Sequence, residues 1–189
     1  MSYWQPVYFF FIAMALALLE IQIEGKHGWA EKLPTWRWTP RLAQWFGRPV
    51  TGYHLYLQLF MLLLLHLPHM YAGFTWEREV ELLSLYFLLS VFWDFLWFAL
   101  NPHYGLGRFN RACVWWFRGW WCGVPADYFL GIFTSWALYV LPAGTLQLAV
   151  RSKQWAVFAG LFLGLTLAAA GARALLMRGV PLAEGKGAA

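Results

Sequence analysis

Five apolar segments, each close to the length of a membrane span, dominate this sequence of 189 residues. They cover residues 6–23, 53–72, 80–100, 128–150 and 155–176. An α-helix needs about twenty consecutive apolar residues to cross about 30 Å of hydrocarbon. The sequence therefore predicts an all-α polytopic membrane protein with five transmembrane helices. Residues 1–178 are expected to form one transmembrane domain, and residues 179–189 a flexible C-terminal tail.

The composition agrees with this class and argues against an ordinary soluble domain. Hydrophobic residues make up 61% of the chain and charged residues 12%, which leaves too little polar surface to cover a soluble core. Many of the 14 Trp residues fall in the segments that connect the predicted helices. Because indole rings prefer the headgroup level of a bilayer, these connections are expected to lie on the membrane.

The basic residues predict the orientation of the chain. Of the 14 Lys and Arg residues, all but Arg78, Arg151 and Lys153 fall on the side that holds the connections 24–52 and 101–127 and the C-terminal end. Basic residues collect on the cytoplasmic side of membrane proteins. The sequence thus predicts a multi-pass protein with its N-terminus outside and its C-terminus in the cytoplasm.

The distribution of charge and small residues indicates the partners. The basic residues are dispersed among aromatic residues and form no run of three, which favours membrane lipids with anionic headgroups as partners and argues against nucleic acid. In the last segment, Gly160 and Gly164 form a GxxxG motif. Small residues allow close helix packing, either within the bundle or against a second copy or a partner membrane subunit.

Residues 108–121 show the pattern of an amphipathic helix between the third and fourth spans. At helical spacing Arg108, Arg111 and Arg118 share one side, and Phe109 and Phe117 share the other. This pattern predicts an interfacial helix that lies in the plane of the membrane surface. It would act as a plain anchor or would also form an Arg-lined groove for a lipid phosphate.

Two carboxylates and an imidazole stand at the predicted cytoplasmic end of the first helix. Glu20 and Glu24 are four residues apart on one helical face, and His27 follows one turn later. Glu24 and His27 have the ExxH spacing with which diiron bundle proteins chelate one ion. No second ExxH occurs in the chain, and Gly25 is expected to end the helix before His27.

The third predicted helix carries a carboxylate inside an otherwise apolar stretch. Asp94 lies within the sequence WDFLWF, and Asn101, His103 and Tyr104 follow at the same end. A charged side chain at mid-span costs about 2.5–3.5 kcal/mol on insertion scales, so Asp94 is expected to face the bundle interior and meet a partner.

These polar residues are expected to converge at one leaflet. The cluster comprises Glu20, Glu24, His27, His54, Asp94, His103 and Asp127. Its first six members are candidate ligands for Fe, Zn or Mn, and Glu20, Glu24, Asp94 and His103 are candidate catalytic residues. Arg37, Asn101, Tyr104 and Arg111 are candidate substrate-binding residues. Alternatives are metal-free acid–base chemistry or charges that merely collect at helix ends, with Asp94 paired to Arg37 or Arg111.

Three functional classes remain open from the sequence. The first is a small membrane enzyme, or enzyme subunit, that acts on a lipid or other hydrophobic substrate at the cytoplasmic leaflet. The second is a non-catalytic subunit or assembly factor that packs against partner helices, and the third is a small proton- or cation-coupled transporter. The absence of GxSxG, HExxH and Walker motifs argues against serine-hydrolase, zincin and ATP-driven chemistry.

Overall fold

Long apolar helices make up most of the computed structural model, which describes residues 4–176. The four long helices are α1 (Trp4–Glu24), α3 (Gly52–Ala72), α4 (Trp76–Leu100) and α6 (Leu148–Leu176), and α2 (Arg41–Phe46) and α5 (Ala126–Val140) are shorter. The four long helices are each long and apolar enough to cross a membrane. The predicted all-α class is therefore confirmed, and four helices among residues 4–176, not the predicted five, have the length and hydropathy of membrane spans. The predicted tail, residues 179–189, lies outside the described residues.

The predicted span 128–150 forms a shorter helix than expected. Helix α5 has 15 residues, which at 1.5 Å per residue is about 22 Å and falls short of the hydrocarbon thickness. The chain leaves the helix at Leu141, because Pro142 and Gly144 follow at once and both disfavour a continuing helix. Residues 148–150, expected to end the fourth span, and residues 151–154, expected to connect it to the fifth, instead form the first turns of α6.

The prediction of an interfacial helix at residues 108–121 is wrong. A 3₁₀ turn covers Leu106–Arg108, turns and irregular chain follow, and β3 (Trp120–Trp121) pairs with β4 (Val124–Pro125) in a small hairpin. The side-chain oxygen of Asn110 accepts hydrogen bonds from the backbone N–H groups of Ala112 and Cys113. Such local bonds give the backbone an alternative to the helix, so the three Arg residues do not line one groove.

The connection between α1 and α3 folds back over the same end of the bundle. Within it β1 (Arg37–Trp38) pairs antiparallel with β2 (Val50–Thr51), and α2 lies between them. This connection packs on the one between α4 and α5. At Gly28 an added Cβ would lie 2.2 Å from Cη2 of Trp116, so only glycine lets the indole ring pack against the backbone there.

Helix α4 is the centre of the bundle, whereas α3 is loosely attached. The α4 helix packs extensively on α5, α1 and α6, and much less on α3. Its Phe92 ring stacks on Phe162 of α6 with centroids 4.9 Å apart, and Leu89 and Leu96 are fully buried beside them. Helices α3 and α5 scarcely touch each other. A space therefore remains between them, with α4 as its third wall.

The glycine face of α6 is open in the structure. A Cβ atom added at Gly160 or Gly164 would meet nothing within 4 Å. These residues therefore make no close helix contact within the bundle. Their predicted contact with a second copy or a partner subunit stays a prediction.

Candidate functional site

A cavity of about 910 Å³ occupies the space between α3, α4 and α5. We call the end of the bundle at which it lies the cavity end; here α1 and α4 finish, α3 and α5 begin, and the connection 25–51 covers the space. Most of the lining is aromatic or aliphatic, for example Trp36, Leu55, Phe87, Val91 and Leu130. Ionisable side chains also line it: Glu20, Arg48, His54, Asp94 and Asp127. An apolar chamber with a few convergent polar groups is the usual form of a small-molecule site.

Asp94 reaches this cavity from α4 and is held by a tyrosine. The hydroxyl of Tyr128, at the start of α5, donates a hydrogen bond to Asp94 Oδ2. The Tyr128 ring is buried and stacks on Phe109 with centroids 6.0 Å apart. The side chain of Asp94 remains partly exposed to the cavity. The expected partner of Asp94 is therefore a neutral donor, and pairing with Arg37 or Arg111 is not observed.

Glu20 is a second buried carboxylate on the cavity wall. Its exposed fraction is 7%, and it lies close enough to Glu24 and Asp94 for the three carboxylates to repel one another. The side chains of Trp93 and Tyr53 lie beside its carboxyl group. Neither Trp93 Nε1 nor the Tyr53 hydroxyl makes a hydrogen bond of normal geometry, although buried donors usually find a partner. Glu20 thus lies among donors that are not fully used.

Arg48 connects the three segments that close the cavity end. Its Nη2 lies 3.1 Å from Asp127 Oδ2, and its Nη1 donates to the Trp116 carbonyl oxygen at 3.3 Å. The guanidinium carbon lies 4.2 Å from the ring centroid of Trp29 and 4.8 Å from that of Phe117. A planar guanidinium suits such simultaneous stacking and ion pairing. The charge of Arg48 is therefore committed to the protein itself.

His54 joins Glu24 to the cavity. Thr51 caps α3 by accepting from the backbone N–H of His54, and its hydroxyl lies 2.7 Å from His54 Nδ1. The other ring nitrogen, Nε2, lies 3.5 Å from Glu24 Oε1, which also accepts from the Ala30 N–H at 2.5 Å. The imidazole stacks on Trp29, with ring centroids 4.1 Å apart. The two ring nitrogens of His54 therefore face Thr51 and Glu24.

Three predicted site residues support the fold at the cavity end instead of lining the cavity. Asn101 is fully buried and donates to the Gly25 carbonyl oxygen at 2.8 Å, which ties α4 to the end of α1. The backbone N–H of His103 donates to the Asn101 side chain. Tyr104 packs against Trp97, and burial raises the pKa of its hydroxyl. These contacts tie the end of α4 to the neighbouring connections, and the predicted substrate-binding and catalytic roles of the three residues stay predictions.

His27, Arg37 and Arg111 also lie away from the cavity lining. His27 contacts Glu31 at 3.7 Å in the connection after α1, because Gly25, with φ of 59°, ends the helix. Arg37 donates to the carbonyl oxygens of its own connection, including that of Thr35 at 3.1 Å. Arg111 is exposed.

The predicted ligands of a metal ion are divided among separate places. Glu20, His54 and Asp94 line the cavity, Glu24 lies behind His54, and His27 and His103 lie elsewhere. Among residues 4–176, no group of three or more His, Cys, Asp or Glu side chains is arranged to hold a metal ion. At the opposite end, His66 and His69 of α3 instead contact the two oxygens of Glu79 at 3.1 and 3.0 Å.

Sequence reasoning did not identify Arg48, Tyr128 or Trp93 as site residues. Trp93 and Tyr128 lie beside other aromatic residues, and Arg48 follows shortly after Trp45 and Phe46, so that each resembles a membrane anchor. Asp127 next to Tyr128 was the one available signal, because it placed the start of α5 at the level of Asp94. Comparison of the chain with family models, curated proteins and solved structures gave no match.

Proposed function

We propose that this protein is a membrane enzyme that exchanges protons with a lipid-like substrate bound in the cavity. The carrying observation is the juxtaposition of two carboxylates, Glu20 and Asp94, with an apolar chamber of about 910 Å³. Known small-molecule pockets commonly range from about 300 to 1,000 Å³. The chamber has the size and lining for the apolar body of such a substrate, and the carboxylates meet its polar end.

The arrangement of helices supports entry of the substrate from the bilayer. Helices α3 and α5 flank the cavity and scarcely contact each other. Leu55 on α3 and Leu130 on α5 line the cavity and are also 46% and 55% exposed. Their side chains would face lipid at the rim, so an apolar molecule would pass between the two helices without crossing a polar barrier.

The two carboxylates have environments suited to different roles. Asp94 accepts a hydrogen bond from Tyr128 through one oxygen, which orients the carboxyl group, and we assign it the role of the base. Glu20 is buried, with the side chains of Trp93 and Tyr53 beside its carboxyl group, and we assign it the role of the acid. Pairs of carboxyl groups in unequal environments are common in acid–base catalysis.

The reaction class that needs only these groups is movement of a carbon–carbon double bond. Glu20 would deliver a proton to one carbon, and Asp94 would remove a proton from another. One proton is added and one is lost, and no electrons are exchanged, so no oxidant or reductant is required. The starting protonation states return when a proton passes from Asp94 back to Glu20, which lines the same cavity. Dependence on Fe, Zn or Mn stays a prediction that elemental analysis of the purified protein tests.

Deuterium transfer tests this proposal. The purified protein is placed in nanodiscs with the lipid extract of its source cells in D₂O, and the lipids are then returned to H₂O and analysed by mass spectrometry. We expect one lipid class to gain carbon-bound deuterium with the wild type and with the exposed-site control Glu31→Gln. Asp94→Asn and Glu20→Gln should lower the rate at least a hundredfold. The proposal fails if no lipid gains deuterium, or if Asp94→Asn reacts as fast as the wild type.

A further inference from the structure

The charges around the cavity limit which charge the polar group of a ligand can carry. Arg48 is the one Lys or Arg among the described residues that line the cavity. It lies 3.1 Å from Asp127 and between the rings of Trp29 and Phe117. His54 likewise faces Glu24 at 3.5 Å. After these pairings Glu20 and Asp94 have no ion-pair partner within residues 4–176, although Arg48 lies near enough to Asp94 to attract its charge.

An anionic ligand would therefore meet carboxyl groups and no free cation. A phosphate or carboxylate in this position would face repulsion from Asp94 and would have to displace Asp127 from Arg48. Like charges opposed in a desolvated site are strongly unfavourable. The cavity is thus built for an uncharged or cationic polar end, unlike the lipid phosphate that an Arg-lined groove would select.

Trp93 adds a requirement that distinguishes these two possibilities. Its side chain lines the cavity and has an exposed fraction of 3%. Its indole Nε1–H, which can only donate, lies beside the Glu20 carboxyl group but makes no hydrogen bond of normal geometry. A ligand that satisfies this donor must carry an acceptor. The carboxylate of Asp94, in contrast, has one oxygen bonded to Tyr128 and can accept a further hydrogen bond from a ligand donor.

A hydroxyl group meets both requirements, because it donates one hydrogen bond and accepts others. An ammonium group has no acceptor for Trp93, and a ketone has no donor for Asp94. We propose that the ligand is a long-chain or polycyclic alcohol whose hydroxyl binds between Trp93 and the carboxyl groups of Asp94 and Glu20. This inference rests on the cavity being the substrate site of the proposed function, and it names the substrate class.

The volume of the cavity agrees with one apolar chain or ring system. Its value of about 910 Å³ lies within the range of about 300 to 1,000 Å³ that is common for small-molecule pockets.

Matched probes test the class of polar end. The C20 isoprenoid alcohol is compared with the amine and the monophosphate of the same chain by native mass spectrometry and thermal shift on protein in detergent. We expect the alcohol to bind at least tenfold more tightly than either of the others. Equal or tighter binding of the monophosphate would overturn the charge argument, and tighter binding of the amine would overturn the hydroxyl argument.

Two buried indoles provide a matched pair of variants. Trp93→Phe should weaken alcohol binding about five- to tenfold, because one hydrogen bond is lost. Trp97 is also buried with an unpartnered Nε1 but does not line the cavity, so Trp97→Phe should leave the affinity unchanged. Equal effects of both variants would contradict the assignment. Deuterium transfer to a lipid that is not an alcohol would overturn the ligand class alone, whereas alcohol binding without deuterium transfer would overturn the enzyme.

Discussion

Asp94 has the partner that its position demands, but the partner is a phenol and not a cation. The Tyr128 hydroxyl occupies one carboxylate oxygen, and the side chain still lines the cavity. An Arg partner would have neutralised the charge and closed access to it. A single neutral donor orients the carboxylate and leaves it able to accept a proton, which is the property that proton transfer requires.

Replacing Tyr128 tests this orientation. Tyr128→Phe removes one hydrogen bond to a charged group, worth about 1.5–3 kcal/mol, and we expect deuterium transfer to slow by at least tenfold. The phenyl ring keeps its stacking on Phe109, so the fold should survive. Tyr56→Phe, at a tyrosine that is 62% exposed, is the control. Wild-type rates in Tyr128→Phe would show that Asp94 does not need this donor.

The sequence identifies the residues whose chemistry conflicts with their surroundings. Asp94 and Glu20 could be predicted because a carboxylate within an apolar helix is costly and requires a reason. Arg48 and Trp93 could not, because their roles depend on which rings and carboxylates the folded connections bring beside them. The backbone of His103 contacts Asn101 and Arg108, and the predicted role of its imidazole stays a prediction.

Helix α3 is an element held mainly at its two ends. Near the cavity end Thr51 caps it and His54 contacts Glu24. At the opposite end His66 and His69 both contact Glu79 of α4. Between these points α3 packs sparsely on the rest of the bundle. Its position as one wall of the cavity therefore depends on a small number of polar contacts.

Removing the charge of Glu79 tests the attachment at the opposite end. Glu79→Gln should lower the unfolding temperature by a few degrees, because an amide offers one acceptor where two imidazoles now share a carboxylate. Glu77→Gln, at an exposed residue two positions earlier in α4, should change the unfolding temperature by less than one degree. Equal unfolding temperatures for the two variants would mean that the contacts with Glu79 do not hold α3.

At the scale of secondary-structure elements, sequence patterns are sufficient to predict the long helices but not the shorter segments. The long apolar runs predicted α1, α3, α4 and the last helix, because length and hydropathy decide whether a segment can cross a bilayer. The pattern at 108–121 failed because a helical period in Arg and Phe does not outweigh the local hydrogen bonds of Asn110. Pro142 and Gly144 are signals for the end of a helix, so the sequence contained the information that α5 ends before residue 150.

At the scale of the whole molecule, one end carries the cavity and the connections rich in Trp and Arg. The opposite end has the short connection between α3 and α4 and the turn 141–147. The positive-inside rule assigns the cavity end to the cytoplasm. The proposed enzyme would then take its substrate from the cytoplasmic leaflet.

The two native cysteines test this orientation without an added label. Cys113 and Cys122 are both exposed and belong to the connection at the cavity end. A membrane-impermeant maleimide should label them in inside-out vesicles and leave them unlabelled in intact cells. A variant with both cysteines replaced by Ser and with Leu146→Cys, at a residue that is 95% exposed, should show the reverse. Labelling of the native cysteines in intact cells would invert the predicted topology.

Occupancy of the cavity is the claim on which both proposals depend, and native mass spectrometry of protein released directly from membranes measures it. Thr134 lines the cavity on α5, whereas its neighbour Phe133 does not and is 60% exposed. Wild type and Phe133→Trp should carry one bound apolar molecule, and Thr134→Trp, which fills the cavity, should carry none. Protein without a bound molecule, or equal occupancy in Thr134→Trp, would contradict a substrate site between α3 and α5.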